Sequence, residues 1–327
     1  MREHKTQVEF HSPLGDLMAG FIQEKQALGY GYDVGIQALR RFDRFLCSIE
    51  WPSQELPRDV VERWTAKRAH EQPGTHKLRM TLMRQFLLFL RRQDLEVHLP
   101  DATKRSVYRS QFTPYIFLRQ EVQRLLQAVD GLRPDARCPL RHVIMPEVFR
   151  LLYGCGLRLG EVLHLRVADV DLGAGILTVR GGKFNKDRLV PVAPSMVARL
   201  CQYAAVLGKR DPSAVFFPAP DGGPYSLVTV YGIFRRLLRE CGLAHGGRGK
   251  GPRLHDLRHA FAVHRLENWY RAGVDLEAKL PVLAVYMGHR SLAGTQRYLR
   301  LTPELFPDIR ERLEVSTGHV IPRRDVT

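Results

Sequence analysis

The chain has 327 residues, 44% of them hydrophobic, a formal net charge of +16 and a pI near 10. That is enough apolar material for a sizeable core and enough length for two ordinary domains. No run approaches the roughly 18 consecutive apolar residues of a spanning helix, and the start "MREHKTQVEF" lacks the apolar centre of a secretory signal, so neither a membrane span nor secretion is expected and cytoplasm is the default expectation.

The five cysteines are odd in number, widely spread and form no C-x-x-C pair, which argues against a zinc ribbon or a disulfide framework; they are expected to be reduced and mostly packed. The positive charge predicts a polyanionic partner, nucleic acid first, because a basic surface releases counterions when it meets phosphate. Residues 1–110 hold 18 Lys+Arg against 14 Asp+Glu, and the remainder 32 against 20.

In chain order, residues 14–48 place apolar residues at helical spacing with a break near Gly29-Tyr30-Gly31, and residues 58–92 predict two more helices separated by Pro73-Gly74. These make an all-helical N-terminal unit. The polar, basic stretch 98–114, framed by Pro100 and Pro114, predicts a linker and a domain boundary near residue 110. Beyond it, 118–129 and 140–156 are amphipathic helices. Residues 175–192 alternate apolar and polar side chains about a Gly/Asn-containing turn, the pattern of a hairpin. Helices are expected at about 194–207, 225–241, 255–270, 277–287 and 303–315. The strands are too few for a doubly wound sheet.

Chemistry concentrates in four places. "RLHDLRHAFAVH" (253–264) sets His255, Arg258 and His259 on one helical face. The histidine spacing is that of a zinc-binding helix, but Asp256 is shorter than the glutamate of that motif and Arg258 would put a fixed cation beside the metal. "GLRLGE" (156–161) begins a helix at Arg158, with Glu161 three residues on; two arginines from different segments can clamp a phosphate. The hairpin turn offers Lys183 just after its glycines, whereas Lys186 and Arg188 read as solvated turn residues. "GHRSLAGTQRYLRL" (288–301) carries His289 and, nine positions later, Tyr298 on a short helical segment. A tyrosine can attack phosphorus and conserve the energy of the broken bond in a covalent ester, although a lone tyrosine on a helix is more often core.

Taken together, G-L-R-L-G-E, a lysine in a hairpin turn, H-x-x-R, G-H and a following tyrosine resemble the tyrosine recombinase, or phage integrase, family. The resemblance implies a fold that is mainly α with a small β-sheet: an N-terminal helical, SAM-like core-binding domain over 1–110 with its linker, and an α+β catalytic domain over 111–327 ending in a helical tail. It implies Arg158, Lys183, His255, Arg258, His289 and Tyr298 as catalytic residues, with Glu161 orienting from behind. It further implies double-stranded DNA as substrate, no cofactor or metal, and a homotetramer on DNA, with other recombinases of the same element as further partners.

By the same resemblance Tyr298 forms a 3′-phosphotyrosine, Arg158 and Arg258 stabilise the charged intermediate, Lys183 protonates the leaving oxygen, His255 handles the tyrosine's proton and His289 bonds a phosphate oxygen. "AKLP" (278–281) and "TPEL" (302–305) are similar to recombinases carried by bacterial transposons. Two features depart from the family. Arg258 and His289 lie 31 positions apart, more than in Xer recombinases, and Phe184 follows Lys183, which leaves Lys186 as an alternative. The rival readings are a type IB topoisomerase, a DNA-binding regulator with a decayed site, and a metallohydrolase.

Overall fold

The structure is a computed structural model that describes residues 9–100, 113–181, 187–247, 251–289, 291–300, 311 and 314–315. Lys183, Lys186 and residues 101–112 of the linker expected over 98–114 lie outside the described residues. So do Leu305, Ile309 and Leu313 of the expected C-terminal helix, of whose span only 311, 314 and 315 are described, each helical.

The chain falls into two compact units, Met1–Phe112 and Thr113–Thr327. The first is built from α1 (Gly15–Ala27), α2 (Asp33–Ser48), α3 (Arg58–Thr65) and α4 (Pro73–Arg91). Residues three and four apart on each helix supply one core: Met18, Phe21 and Ile22 from α1, Leu39, Phe42 and Leu46 from α2, Val60, Val61 and Trp64 from α3, and Met83, Phe86, Leu87 and Leu90 from α4. Pro73 is not a break between helices; it opens α4, at a first-turn position where a missing N–H costs nothing. The buried Asp43 accepts the backbone N–H groups of His11 and Ser12 and so fixes the entry into α1.

The second unit runs α5 (Arg119–Asp130), α6 (Arg141–Gly154), α7 (Leu159–Leu163), β1 (Val170–Asp171), β2 (Ile176–Val179), β3 (Arg188–Pro191), α8 (Pro194–Leu207), α9 (Leu227–Glu240), α10 (Asp256–Arg271), α11 (Leu276–Met287) and α12 (Ala293–Gln296), followed by a 3-10 turn over Arg297–Arg300. It is mainly α with a small three-stranded antiparallel sheet in the order β1-β2-β3. The predicted hairpin is β2–β3; the two-residue β1 is an addition that the sequence pattern did not reveal.

Register decides which side chains face inward: Leu177 pairs with Val190 and Val179 with Arg188. Leu177, Val179 and Val190 are all buried, so Arg188 stands on the core side of the sheet. The helix α10 is buried along almost its whole length, from Asp256 to His264 and again at Leu266 and Glu267. Arg119 at the start of α5 ties to it through the Glu267 carboxylate and the His264 carbonyl. Of the cysteines, Cys155 and Cys241 are buried and Cys138 half-buried, but Cys47 and Cys201 are exposed because they fall on the polar faces of α2 and α8, contrary to the expectation that most are packed. Among the described residues no helix is long and apolar enough to cross a membrane, and no group of three or more His, Cys, Asp or Glu is placed to hold a metal ion.

Candidate active site

The site is organised by the C-terminal end of α11. The last carbonyls of a helix have no partner within it and carry the negative end of its dipole, so they attract cations. Here three consecutive carbonyls each accept from a different arginine: Tyr286 from Arg188 Nε at 2.9 Å, Met287 from Arg258, and Gly288 from Arg158 at 3.0 Å. Three side chains from three distant segments are thereby brought side by side.

Two glycines make this packing possible. Gly288 sits in the left-handed region (φ 65°) and closes α11, with His289 N–H donating back to the Ala284 carbonyl. A Cβ at Gly288 would lie 3.0 Å from the Arg188 guanidinium. Gly156, between α6 and Arg158, is also left-handed (φ 60°), and a Cβ there would meet the Phe261 ring at 2.4 Å. Its carbonyl accepts the second bond from Arg258.

Two of the three guanidiniums share one carboxylate. The Glu161 side chain, 7% exposed, accepts from Arg158 at 2.6 Å and from Arg188 at 3.0 and 2.8 Å, and its second oxygen also takes the Arg158 backbone N–H. Burial alone would raise the Glu161 carboxyl, but the Arg188 and Arg158 bonds outweigh it and hold it down at about 2. Arg188 is therefore no solvated turn residue: the hairpin register turns it inward, where its side chain is 10% exposed. Arg258 is 2% exposed; burial, then the charge of Arg158, pulls its pKa down to about 10, so it stays cationic at neutral pH. The cluster carries more positive than negative charge, which suits it to a phosphate undergoing substitution.

The remaining residues face this cluster from α10 and the chain after α11. His255 stands exposed at the N-terminus of α10. Partial burial, Arg258 and Arg253 lower its pKa to about 4, so its imidazole is neutral at physiological pH. His259, one turn on, packs edge to face against it at 4.9 Å between ring centres. His289 Nδ1 lies 2.7 Å from Thr295 Oγ1, and its ring stacks at 6.0 Å on that of Tyr298. Tyr298 is 1% exposed, packed among Phe261, Leu266 and Met287, with its hydroxyl 2.9 Å from His259 Nδ1.

The structure thus brings Arg158, Glu161, Arg258, His255, His289 and Tyr298 into one constellation, while Lys183 is outside the described residues. Sequence reasoning missed the inward role of Arg188 and gave His259 no partner. The period-two pattern of "DRLVPV" carried a signal for the first, since Arg188 alternates in phase with Val190. Contact between residues 39 positions apart, as for His259 and Tyr298, left none.

The phage integrase family matches this chain over residues 116–304. A Sinorhizobium fredii chain, y4rB, provisionally named an integrase/recombinase, is 33% identical over 90% of this chain and 95% of its own length. The tyrosine recombinase XerD of Ralstonia nicotianae is 29% identical over 75% of each chain. Among solved structures, the fold is similar to that of the Tn1549 transposon integrase in complex with transposon right end DNA, with a TM-score of 0.62 at 14% identity over 92% of this chain and 99% of that one. It is also similar to XerH recombinase bound to palindromic difH substrate, with a TM-score of 0.58 at 18% identity over 91% and 84%. The family match spans more than half the chain and one relative aligns along nearly all of it; the chain belongs to the phage integrase family of tyrosine recombinases.

Proposed function

We propose that the chain is a site-specific DNA recombinase that cuts and rejoins strands through Tyr298 on behalf of a mobile element. The observation that carries this reading is the gathering of Arg158, Arg188 and Arg258 on the carbonyls of residues 286–288, within reach of a tyrosine flanked by His259 and His289. In the reaction Tyr298 Oη attacks phosphorus, the bond from phosphorus to the 5′-oxygen breaks, and a 3′-phosphotyrosine remains. Arg158 and Arg258 bind the non-bridging oxygens as charge builds on them, with Glu161 and Arg188 fixing the first of the pair. His289 and the neutral His255 supply hydrogen bonds to the same phosphate, and Lys183 protonates the leaving oxygen.

The first unit is a helical core-binding domain that grips the duplex, and exchange between two duplexes assembles the chain as a cyclic tetramer on DNA. "AKLP" and "TPEL" support the mobile-element role, and the similarity to y4rB supports recombination. The second reading, a type IB topoisomerase, shares the chemistry but acts on one duplex.

The two are separated with the DNA that flanks the gene. A plasmid carrying two directly repeated copies of the element junction should yield a precise excision circle with the purified chain. Relaxation of supercoils without any exchanged product would favour the topoisomerase.

A further inference from the structure

We propose that His259, not His255, is the group that takes the Tyr298 phenol proton during strand cleavage and returns it on rejoining. The inference rests on Tyr298 being the nucleophile. Four observations carry it. The Tyr298 hydroxyl and His259 Nδ1 are 2.9 Å apart, a hydrogen-bond distance, and both residues are buried, so bulk water does not compete for the proton at that point. Behind the imidazole, His259 Nε2 faces Asp256 Oδ1 at 4.0 Å. Asp256 is wholly buried and is held by the Arg253 guanidinium at 2.8 Å and by the Arg253 backbone N–H, so a fixed carboxylate waits on the far side of the ring. His255, by contrast, stands beside Arg258 and Arg253, whose charges oppose a proton arriving on it, which suits it to remain a neutral hydrogen-bonding partner.

In cleavage the Nδ1 lone pair of His259 accepts the phenol proton as the bond from Tyr298 Oη to phosphorus forms. The bond from phosphorus to the 5′-oxygen breaks with its electron pair on oxygen, which takes a separate proton from the acid on the leaving-group side. His259 then carries a positive charge opposite Asp256. Reversal returns the proton to the phenol as the 5′-hydroxyl of an incoming strand attacks. The relay of tyrosine, histidine and aspartate works on the attacking side of the phosphate, and a lysine works on the leaving side.

The test uses the full chain and a nicked duplex recovered from a randomised library by covalent capture with the wild-type protein. Formation of the covalent complex is timed in single turnover for wild type, His259→Ala and His259→Asn, on an ordinary scissile phosphate and on one whose bridging 5′-oxygen is replaced by sulfur. Sulfur leaves without needing a proton, so it relieves the loss of a leaving-group acid but not that of a base on the tyrosine. His259→Asn nearly fills the same space and keeps an amide oxygen near the Nδ1 position, yet cannot take a proton, and its DNA binding reports that the fold is kept. Both variants should lose on the order of 10²- to 10⁴-fold in rate, the usual contribution of a general base, and lose it equally on both substrates.

His259→Asn within about threefold of wild type would reduce the residue to a positioning role, and rescue by sulfur would place it on the leaving group, each against the general range for such catalysis. Cleavage by His259→Ala at or above the wild-type rate would make the contact a resting-state lock. Any of these overturns the proposal. Failure of the wild-type chain to capture any duplex would instead count against Tyr298 as nucleophile.

Discussion

Replacing Arg188 by methionine tests whether the carboxylate at the centre of the site is shared between two arginines. Methionine keeps most of the side-chain volume and removes only the charge and the hydrogen bonds. Those bonds are two to Glu161, at 3.0 and 2.8 Å, and one to the Tyr286 carbonyl at 2.9 Å, between side chains that are 10% and 7% exposed. Breaking a buried pair by removing one partner costs about 3–5 kcal/mol because the other charge is stranded. Glu161 retains Arg158 through bonds of 2.6 and 2.9 Å, which places the loss near the lower end, about 3 kcal/mol.

For a unit of this size, at about 2–4 °C per kcal/mol, the midpoint of the thermal transition followed by circular dichroism should fall by roughly 6–12 °C. Cleavage should fall as well, because Glu161 then neutralises Arg158 alone and leaves less positive charge for the phosphate. Adding Glu161→Leu should recover part of the stability, so that the double variant is less destabilised than the sum of the singles by about 1–3 kcal/mol. A shift of under about 2 °C for Arg188→Met, as for an ordinary surface substitution, would refute the shared ion pair.

Stability should also fall in mild acid. Burial and then Arg119 hold the His264 pKa at about 4, below its unfolded value, so the unfolded chain binds a proton that the folded chain refuses between about pH 6.5 and 4. Between pH 7 and pH 5 His264 should account for a loss of about 2 kcal/mol in urea unfolding, with the likewise lowered His255 adding to it, and His264→Gln should reduce the slope by its share; an unchanged slope would remove His264 as a source. Gly156→Ala and Gly288→Ala should each abolish cleavage, since a Cβ would sit 2.4 Å from the Phe261 ring in one and 3.0 Å from the Arg188 guanidinium in the other, at φ 60° and 65°. Either variant cleaving at the wild-type rate would show that the arginines do not depend on these turns. Arg258→Lys keeps the charge but not the fork that spans the Gly156 and Met287 carbonyls, so single-turnover cleavage should drop about 10²-fold with DNA binding nearly kept, and the wild-type rate should be the same in EDTA.

Much of the fold is legible in the sequence because long helices advertise their inner face every three or four residues. The breaks around Gly29-Tyr30-Gly31 and the hairpin at 175–192 are visible for the same kind of reason, a change of period with turn residues between. The short pieces are less so: β1 is two residues long, too brief for any period to register. The residue types of the site are legible too, since Arg158, Glu161, His255, Arg258, His289 and Tyr298 sit in recognisable local strings.

What joins those strings is invisible at the level of sequence. Nothing in "AVYMGH" announces that three successive carbonyls will collect three arginines, because backbone acceptors carry no residue identity. Arg188 reads as solvated when taken with the Gly/Asn turn before it and as buried when taken with Val190 after it, and only the strand register decides. The meeting of His259 with Tyr298 depends on how the chain after α11 folds back over α10, a tertiary event with no local signature.

The central claim, that Tyr298 is the nucleophile, is tested most directly by mass spectrometry of the trapped covalent complex. After digestion of the protein and of all but the terminal nucleotides of the DNA, the account predicts a single peptide carrying a 3′-linked nucleotide on Tyr298, absent from Tyr298→Phe although that variant still binds the duplex. The same adduct on Tyr286 or any other residue, or a covalent complex that persists in Tyr298→Phe, would contradict it.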